Sequence, residues 1–299
     1  MSKEEKFTLL VGDNPFHGIS HLSQEKARAR DNIITSTEYA AKLIMISHEN
    51  GADGFMFSVS ETTLSILRRI REMQVGLSLY ALVPYAYEYV RIATYMGGIT
   101  GLAKRIAKQI VTSGNMRAIA IGLKGVVRTD PIDLMKTYLV YEINRIKSSA
   151  GKQAKIGSVL LHEIITDMAL GLNLDWLFKS YVDFVSKLGI RPGFQTRNFH
   201  YLVSKFRGWD INFNKITIAA PFNRVGFQMN PSRMDCEKAL ADLPESEVLA
   251  ISILAAGYLK PPEAINYIRN LPNLSGAVVG VSKEHHARQT FKLLRENLV

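Results

Sequence analysis

Val248–Leu254 (VLAISIL) runs into Ala255-Ala-Gly-Tyr-Leu-Lys-Pro-Pro262, and Gly276–Val281 (GAVVGV) runs into Ser282-Lys-Glu-His-His-Ala-Arg288. Each reads as a short apolar strand, buried on both faces, whose far end turns through Gly or Ser into a helix. The same unit recurs upstream. Strands are predicted at Thr8–Val11, Gly54–Ser58, Gly76–Leu82, Ser158–His162, Gly193–Thr196, Ile216–Ala220, Val248–Leu254 and Ala277–Val281. Amphipathic spacing predicts helices over Thr37–Asn50, Glu61–Met73, Leu174–Leu188, Pro231–Leu243, Pro261–Leu271 and His285–Leu298, the first and third stopped by Gly51 and Gly189. Eight strands alternating with helices is the number that closes a (β/α)8 TIM barrel.

The segment 84–155 reads mainly as two or three helices and is expected to be a helical insertion between the third and fourth strands. Within it, Ile119-Ala-Ile-Gly-Leu-Lys124 has strand character and is assigned to the insertion. As a ninth strand it would demote the N-terminal run to a lid over the barrel floor. No linker or repeat divides the 299 residues, so residues 1–299 are expected to form one barrel domain.

Hydrophobic residues make up 47% of the chain and charged residues 21%, enough for a large core, while no apolar run is long enough to span a membrane. The start, MSKEEKFTLLVGDN, has no apolar signal region, and a cytoplasmic protein is expected. The lone Cys236 excludes an internal disulfide and any cysteine-based metal centre. A net charge of +10 favours anionic partners. Lys and Arg are spread along the chain rather than clustered with aromatics, which points away from nucleic acid and towards a small anionic molecule or nucleotide cofactor.

In a βα barrel the chemistry lies at the C-terminal ends of the strands. The polar residues there are Asp13, Asn14 and His17; Ser58, Ser60 and Glu61; Tyr80 and Tyr85; His162 and Glu163; Gln195, Thr196, Arg197 and Asn198; Asn223, Arg224 and Gln228; Tyr258 and Lys260; Ser282 and Lys283. Connecting loops favour Gly, Pro, Ser and Asp. A set this rich in His, Arg, Asn, Gln and Tyr points to an enzyme. His162 closes Val159-Leu-Leu-His and is read as a general acid or a donor polarising a carbonyl oxygen, the alternative being a satisfied half-buried histidine. Its ring is expected to face a cavity formed by Asp13, Arg197 and Asn223. If the strand persists, Glu163 lies on the opposite face, orienting a neighbour rather than pairing with His162 in chemistry. Asp13 and His17 read as structural, or more weakly as a metal pair, and Asp13 stands with His162 and Tyr80 as a catalytic candidate. Arg197 suits a carboxylate or phosphate, with a surface salt bridge as its alternative. The tyrosines from Tyr80 to Tyr95 read as packing. Gly280, Ser282 and Lys283 before the last helix make an anion seat, because free N–H groups and the helix dipole face an incoming phosphate.

From Ser158 onwards the chain resembles the aldo-keto reductase superfamily. Val159-Leu-Leu-His162 is similar to the strand carrying that family's active-site histidine, and Leu188-Gly-Ile with Arg197-Asn198-Phe199 to its "GvSNF" strand end. Ile251-Ser-Ile-Leu with Gly257-Tyr-Leu259 resembles the "aysPLagGlL" segment, and Gly280-Val-Ser282-Lys283 with Phe291 the final strand and helix. The resemblance implies a barrel binding NADP(H), with His162 polarising the carbonyl and Asn198 and Gln195 at the nicotinamide amide. It further implies Ser282, Lys283 and Arg288 around the adenosine phosphate. The sequence departs from the family pattern in having no Tyr in Asp53-Gly-Phe-Met-Phe-Ser58 and Leu79-Tyr80-Ala81 where the family has Lys, with Thr290 in place of an Asn. Tyr80 or Tyr85 would have to stand in as acid. Two other functions fit the residues: a Schiff-base lyase or aldolase using Lys124, or a non-catalytic ligand-binding barrel.

Overall fold

The computed structural model describes residues 7–17, 36–84, 131–243 and 246–299. The eight apolar runs pair in chain order as parallel strands: β1 (Thr8–Gly12), β2 (Gly54–Ser58), β3 (Ser78–Val83), β4 (Lys155–Leu161), β5 (Arg191–Gln195), β6 (Thr217–Pro221), β7 (Glu247–Ile251) and β8 (Gly276–Val279). β8 returns to β1, Leu10 opposite Val278, and closes a (β/α)8 TIM barrel. The N-terminal run is therefore a barrel strand held by β2 and β8, not a lid. Ile119–Lys124 lies outside the described residues, and the barrel closes without it.

Strand bounds differ from the prediction by up to three residues. β7 stops at Ile251 rather than Leu254 because Ser252 takes left-handed backbone (φ 54°), which ends the ladder. β4 starts at Lys155 and ends at Leu161, so His162 stands just beyond it.

The predicted helices are present as α1 (Thr37–Glu49), α2 (Glu61–Glu72), α5 (Asp175–Lys187), α7 (Arg233–Ala241), α8 (Pro261–Arg269) and α9 (Glu284–Leu298). Of the expected insertion, the described part is one helix, α3 (Pro131–Ala150). Two further helices escaped the sequence reading: α4 (Glu163–Gly171) and α6 (Phe199–Gly208). Both are short, and α4 lacks a Ser, Thr or Asp cap, its N-cap being His162. Elsewhere the caps follow sequence chemistry: Ser36, Ser60 and Ser232 accept from the backbone N–H three residues on.

Alternation along the strands sorts the core into two parts. Leu10, Met56, Tyr80, Leu82, Leu160, Ala219, Leu249 and Val278 fill the barrel interior. The opposite faces, including Leu9, Val11, Phe55, Phe57, Val159, Phe194 and Ile218, pack beneath the helices. Between α5, β5 and α6, the rings of Phe178, Phe194 and Phe206 meet edge to face at 5.0–5.5 Å, a geometry that suits the quadrupoles of aromatic rings.

The N-terminal end of the barrel carries a polar floor. Glu247, first residue of β7, accepts from Tyr80 Oη at 3.0 Å and from Thr217 Oγ1 at 2.5 Å, and pairs with Arg191 Nε at 2.7 Å. The last helix is tied to this end of the sheet as well. Arg295 meets Asp53 at 2.9 Å and the Gly51 carbonyl, while Asp53 also accepts the Leu9 N–H at 2.9 Å.

Close approach requires glycine at two strand starts, Gly54 and Gly276, the latter with a Cβ that would lie 2.4 Å from the Thr8 carbonyl oxygen. A Cβ on Gly54 would lie 2.0 Å from the Ser78 carbonyl oxygen, inside the β2–β3 ladder, whereas a Cβ on Gly208 meets nothing within 4 Å. Gly54→Ala should therefore destabilise by about 2–3 kcal/mol or more through backbone displacement. Gly208→Ala should be neutral or stabilising by roughly 0.5 kcal/mol. Urea unfolding of both variants checks this, and equal midpoints would refute it.

Candidate active site

Asp13 follows β1 directly, and its buried carboxylate bridges two strand ends. Oδ2 accepts the Ser58 N–H from the end of β2 at 2.7 Å and His17 Nε2–H at 3.1 Å. His17 closes the 3-10 turn Asn14–His17, which Phe16 anchors by packing on Phe55 with ring centroids 6.1 Å apart. A carboxylate this buried persists only with donors of this kind.

His162, 5% exposed, keeps extended backbone, continues the ladder by donating its N–H to Val83 O at 2.9 Å, and caps α4. Its Nδ1 accepts the Ile164 N–H at 3.3 Å. The proton of the neutral ring therefore sits on Nε2. Burial holds the imidazole pKa below its ordinary value, and Arg197 acts in the same direction, against the opposing fields of Glu163 and Asp13. The ring is thus neutral near pH 7, among the three charged groups best able to influence it.

Glu163 does not point away as strand alternation would have it. The strand ends at Leu161, α4 begins at Glu163, and the helical turn brings the carboxylate to Arg197 Nη2 at 2.5 Å and Gln195 Nε2 at 3.3 Å. It does orient its neighbours, as expected. The Arg197 ion pair is half-buried, its side chain 35% exposed and that of Glu163 10%, rather than a loose surface pair. One turn along α4, Asp167 accepts from Thr196 Oγ1 at 2.5 Å and from the Arg197 N–H at 3.2 Å. Asn198 stands at the start of α6 without capping it, and its side chain reaches Asp167.

Asn223 is fully buried and clasps its own loop, exchanging hydrogen bonds of 2.8 Å with the backbone of Phe227 in both directions. At the end of β8, Gly280 is exposed, and a Cβ on it would lie 2.9 Å from the Pro15 ring. Its lack of a side chain serves the packing of the first loop. Ser282 is half-buried, and Lys283 is the exposed N-cap of α9 with no side-chain cap bond. Arg288 is exposed one turn later. Glu284 in the first turn is paired with Lys42 of α1 at 2.6 Å.

Tyr80 is the residue that the structure separates from this group. The sequence reading placed it at the mouth, but its inward side chain runs to the floor, where the hydroxyl donates to Glu247. Burial and Glu247 push its pKa far up, so it stays protonated at the wrong end to serve His162. Tyr85 lies outside the described residues. Asp167 was missed. A helix starting at residue 163 would have placed Glu163 and Asp167 four residues apart on one face. Among the described residues no group of three or more His, Cys, Asp or Glu is arranged to hold a metal ion, and no helix is long and apolar enough to cross a membrane.

Comparison with known proteins places this geometry on a familiar scaffold. No protein-family profile matches the chain, and no curated sequence does. Solved structures do. Two from Pseudomonas aeruginosa, described as putative aldo-keto reductases, superpose with TM-score 0.58 at 11% identity. They cover 97% of this chain and 91% or 90% of their own. What is shared at that identity is the closed eight-stranded barrel.

Two outcomes follow. His162 has a folded pKa below its unfolded value near 6.5, so the unfolded chain binds the proton first and stability falls as pH drops through that value. His162→Asn keeps an N-cap acceptor without titrating. Urea unfolding at pH 7.5 and 5.5 should show the variant losing less stability on acidification than the parent chain; equal losses would refute it. Tyr80→Phe leaves Glu247 without one donor and should cost about 1–2 kcal/mol of stability. Ligand affinity at the mouth should stay unchanged by calorimetry.

Proposed function

We propose that the chain is an atypical NADP(H)-dependent oxidoreductase acting on a small carbonyl compound that carries an anionic group. The observation that supports this reading most is His162, neutral and protonated on Nε2, gathered with Asp13, Glu163 and Arg197 at the C-terminal end of the barrel. A neutral imidazole N–H donates to a carbonyl oxygen and stabilises negative charge as it develops there. Arg197, held by Glu163, receives the carboxylate or phosphate of the substrate.

The residues present fit the cofactor at both ends. The Gln195 amide is held through Nε2 by Glu163, while its Oε1 is buried with no partner among the described residues, a ready acceptor for a carboxamide N–H. Ser282 and Lys283 precede an α9 start that the Lys283 side chain does not cap, and Arg288 follows one turn later, a cationic seat for a phosphate. Bound there, the cofactor would supply the hydride. The Asn198 side chain is directed towards Asp167, and Gln195, with its open acceptor, is the better placed amide contact.

The departure from ordinary carbonyl reductases concerns the proton. With the Tyr80 hydroxyl on Glu247, His162 carries the donor role at the substrate oxygen. A neutral imidazole is a weak acid, so unactivated aldehydes should be reduced slowly or not at all, whereas substrates oriented through Arg197 gain from positioning.

Calorimetry with NADPH and NADH, followed by NADPH oxidation with panels of neutral aldehydes and 2-oxo acids, tests the proposal. Ser282→Glu should weaken NADPH by about tenfold or more through like-charge repulsion. His162→Ala should lower turnover about 100-fold with the fold intact. Absence of binding by either nucleotide would overturn the cofactor assignment. Rapid turnover of simple aldehydes, unaffected by His162→Ala, would overturn the role of the histidine.

A further inference from the structure

We infer that Asp167 is a positioning residue that fixes Arg197 in the geometry needed to receive the anionic group of the ligand, an inference resting on the role of Arg197 proposed above. Arg197 sits in the short connection between β5 and α6, where a side chain of this length would ordinarily sample many rotamers. Two carboxylates of α4, one turn apart, remove that freedom. Glu163 takes the guanidinium at Nη2, and Asp167 takes the backbone, accepting the Arg197 N–H on Oδ2 and Thr196 Oγ1 on Oδ1. Thr196 is fully buried, and its Oγ1 in turn accepts the Asn198 N–H at 2.9 Å. From the other side, the Arg197 carbonyl accepts the Asn230 N–H at 3.2 Å from the loop after β6. The main chain of Arg197 is thereby held on both its N–H and its carbonyl.

This arrangement is not what local stability of the helices asks for. Asn is among the best N-cap residues, yet Asn198 at the head of α6 makes no cap bond and turns its side chain to Asp167. The packing of α4 is carried by buried Thr166, Ala169 and Leu170, independently of the carboxylate. Where a local rule is given up without gain to the element itself, a functional demand is the physical explanation. The demand here is preorganisation: an anion meeting an already oriented guanidinium loses less to ordering than one that must fix a loop on arrival. The Thr196 hydroxyl and the Arg197 N–H each donate to one oxygen of the carboxylate, both as charge-assisted bonds. An amide would keep the Arg197 N–H only on a neutral oxygen and would turn the hydroxyl from donor to acceptor, which weakens the hold on the loop.

The test compares Asp167→Asn, Thr196→Val and Arg197→Met in the full chain, with inorganic phosphate and NADPH as probes in calorimetry. A ligand-free readout runs in parallel: the rate at which phenylglyoxal modifies Arg197, followed by mass spectrometry. With the seat before α9 disabled by Ser282→Glu in every chain compared, Arg197→Met should abolish the remaining phosphate affinity. Asp167→Asn should weaken phosphate roughly tenfold and speed labelling of Arg197 severalfold, while cooperative unfolding is retained, because the loop is freed and the fold is not. Thr196→Val, nearly isosteric, should move both readouts in the same direction by less, and it carries the test if Asp167→Asn does not fold. Phosphate affinity unaffected by Arg197→Met would overturn the role of Arg197 itself; the labelling rates then decide the positioning alone. Loss of affinity in Arg197→Met with parental labelling and affinity in both other variants would overturn the positioning role. Lowered stability in Asp167→Asn without any change in labelling would reduce Asp167 to a structural part.

Discussion

Closure of the parallel sheet is the constraint on which everything else hangs. β8 pairs with β1 and leaves no free edge, so the backbone polar groups of all eight strands find partners inside the ladder. Parallel closure also sends every strand's C-terminus to one end. Residues far apart in sequence, Asp13, Ser58, His162 and Gln195, are brought to that end because each stands at or just after the last residue of its strand. The same geometry gives the opposite end its own character, with Glu247, Arg191, Thr217 and Tyr80 forming a satisfied polar floor.

Carboxylates do most of the fine positioning, each by accepting from more than one donor. Asp13 joins the ends of β1 and β2, Asp53 joins β1 to the last helix, Glu247 binds the floor, and Glu163 with Asp167 frames the fifth strand's loop. A buried acid is costly alone and stable when its lone pairs are filled. That economy explains why acids stand at element junctions while strand interiors are apolar. His162 shows a different device: its Nδ1 serves the helix backbone, and burial keeps the ring neutral with the proton on Nε2.

The sequence and the structure part company where a side chain is long or an element is short. Tyr80 was read as a residue near the end of the third strand, but sequence position says nothing about whether a six-atom ring leans up or down the barrel. A carboxylate in β7, far away along the chain, decided that. Glu163 was placed on the wrong face because the strand was extended one residue too far, to His162. Asp167 and the helix α4 that carries it were invisible for the same reason. Gly280 was read as part of an anion seat, while its packing against Pro15 was not legible.

The sequence alone determined the fold class, the number and order of the strands and the candidate residues at their ends. Apolar alternation, Gly and Ser punctuation and helix spacing are local signals, and local chemistry is enough to set them. Only the tertiary structure decided which polar side chains meet. It joined Asp13 to Ser58 and His17, Glu163 to Arg197 and Gln195, and Asp167 to Thr196, and it separated Tyr80 from His162. Those contacts depend on strand register, the exact end of each strand and the reach of each side chain across the barrel. None of these is encoded within any one segment, because each is fixed only when the eight strands close on one another.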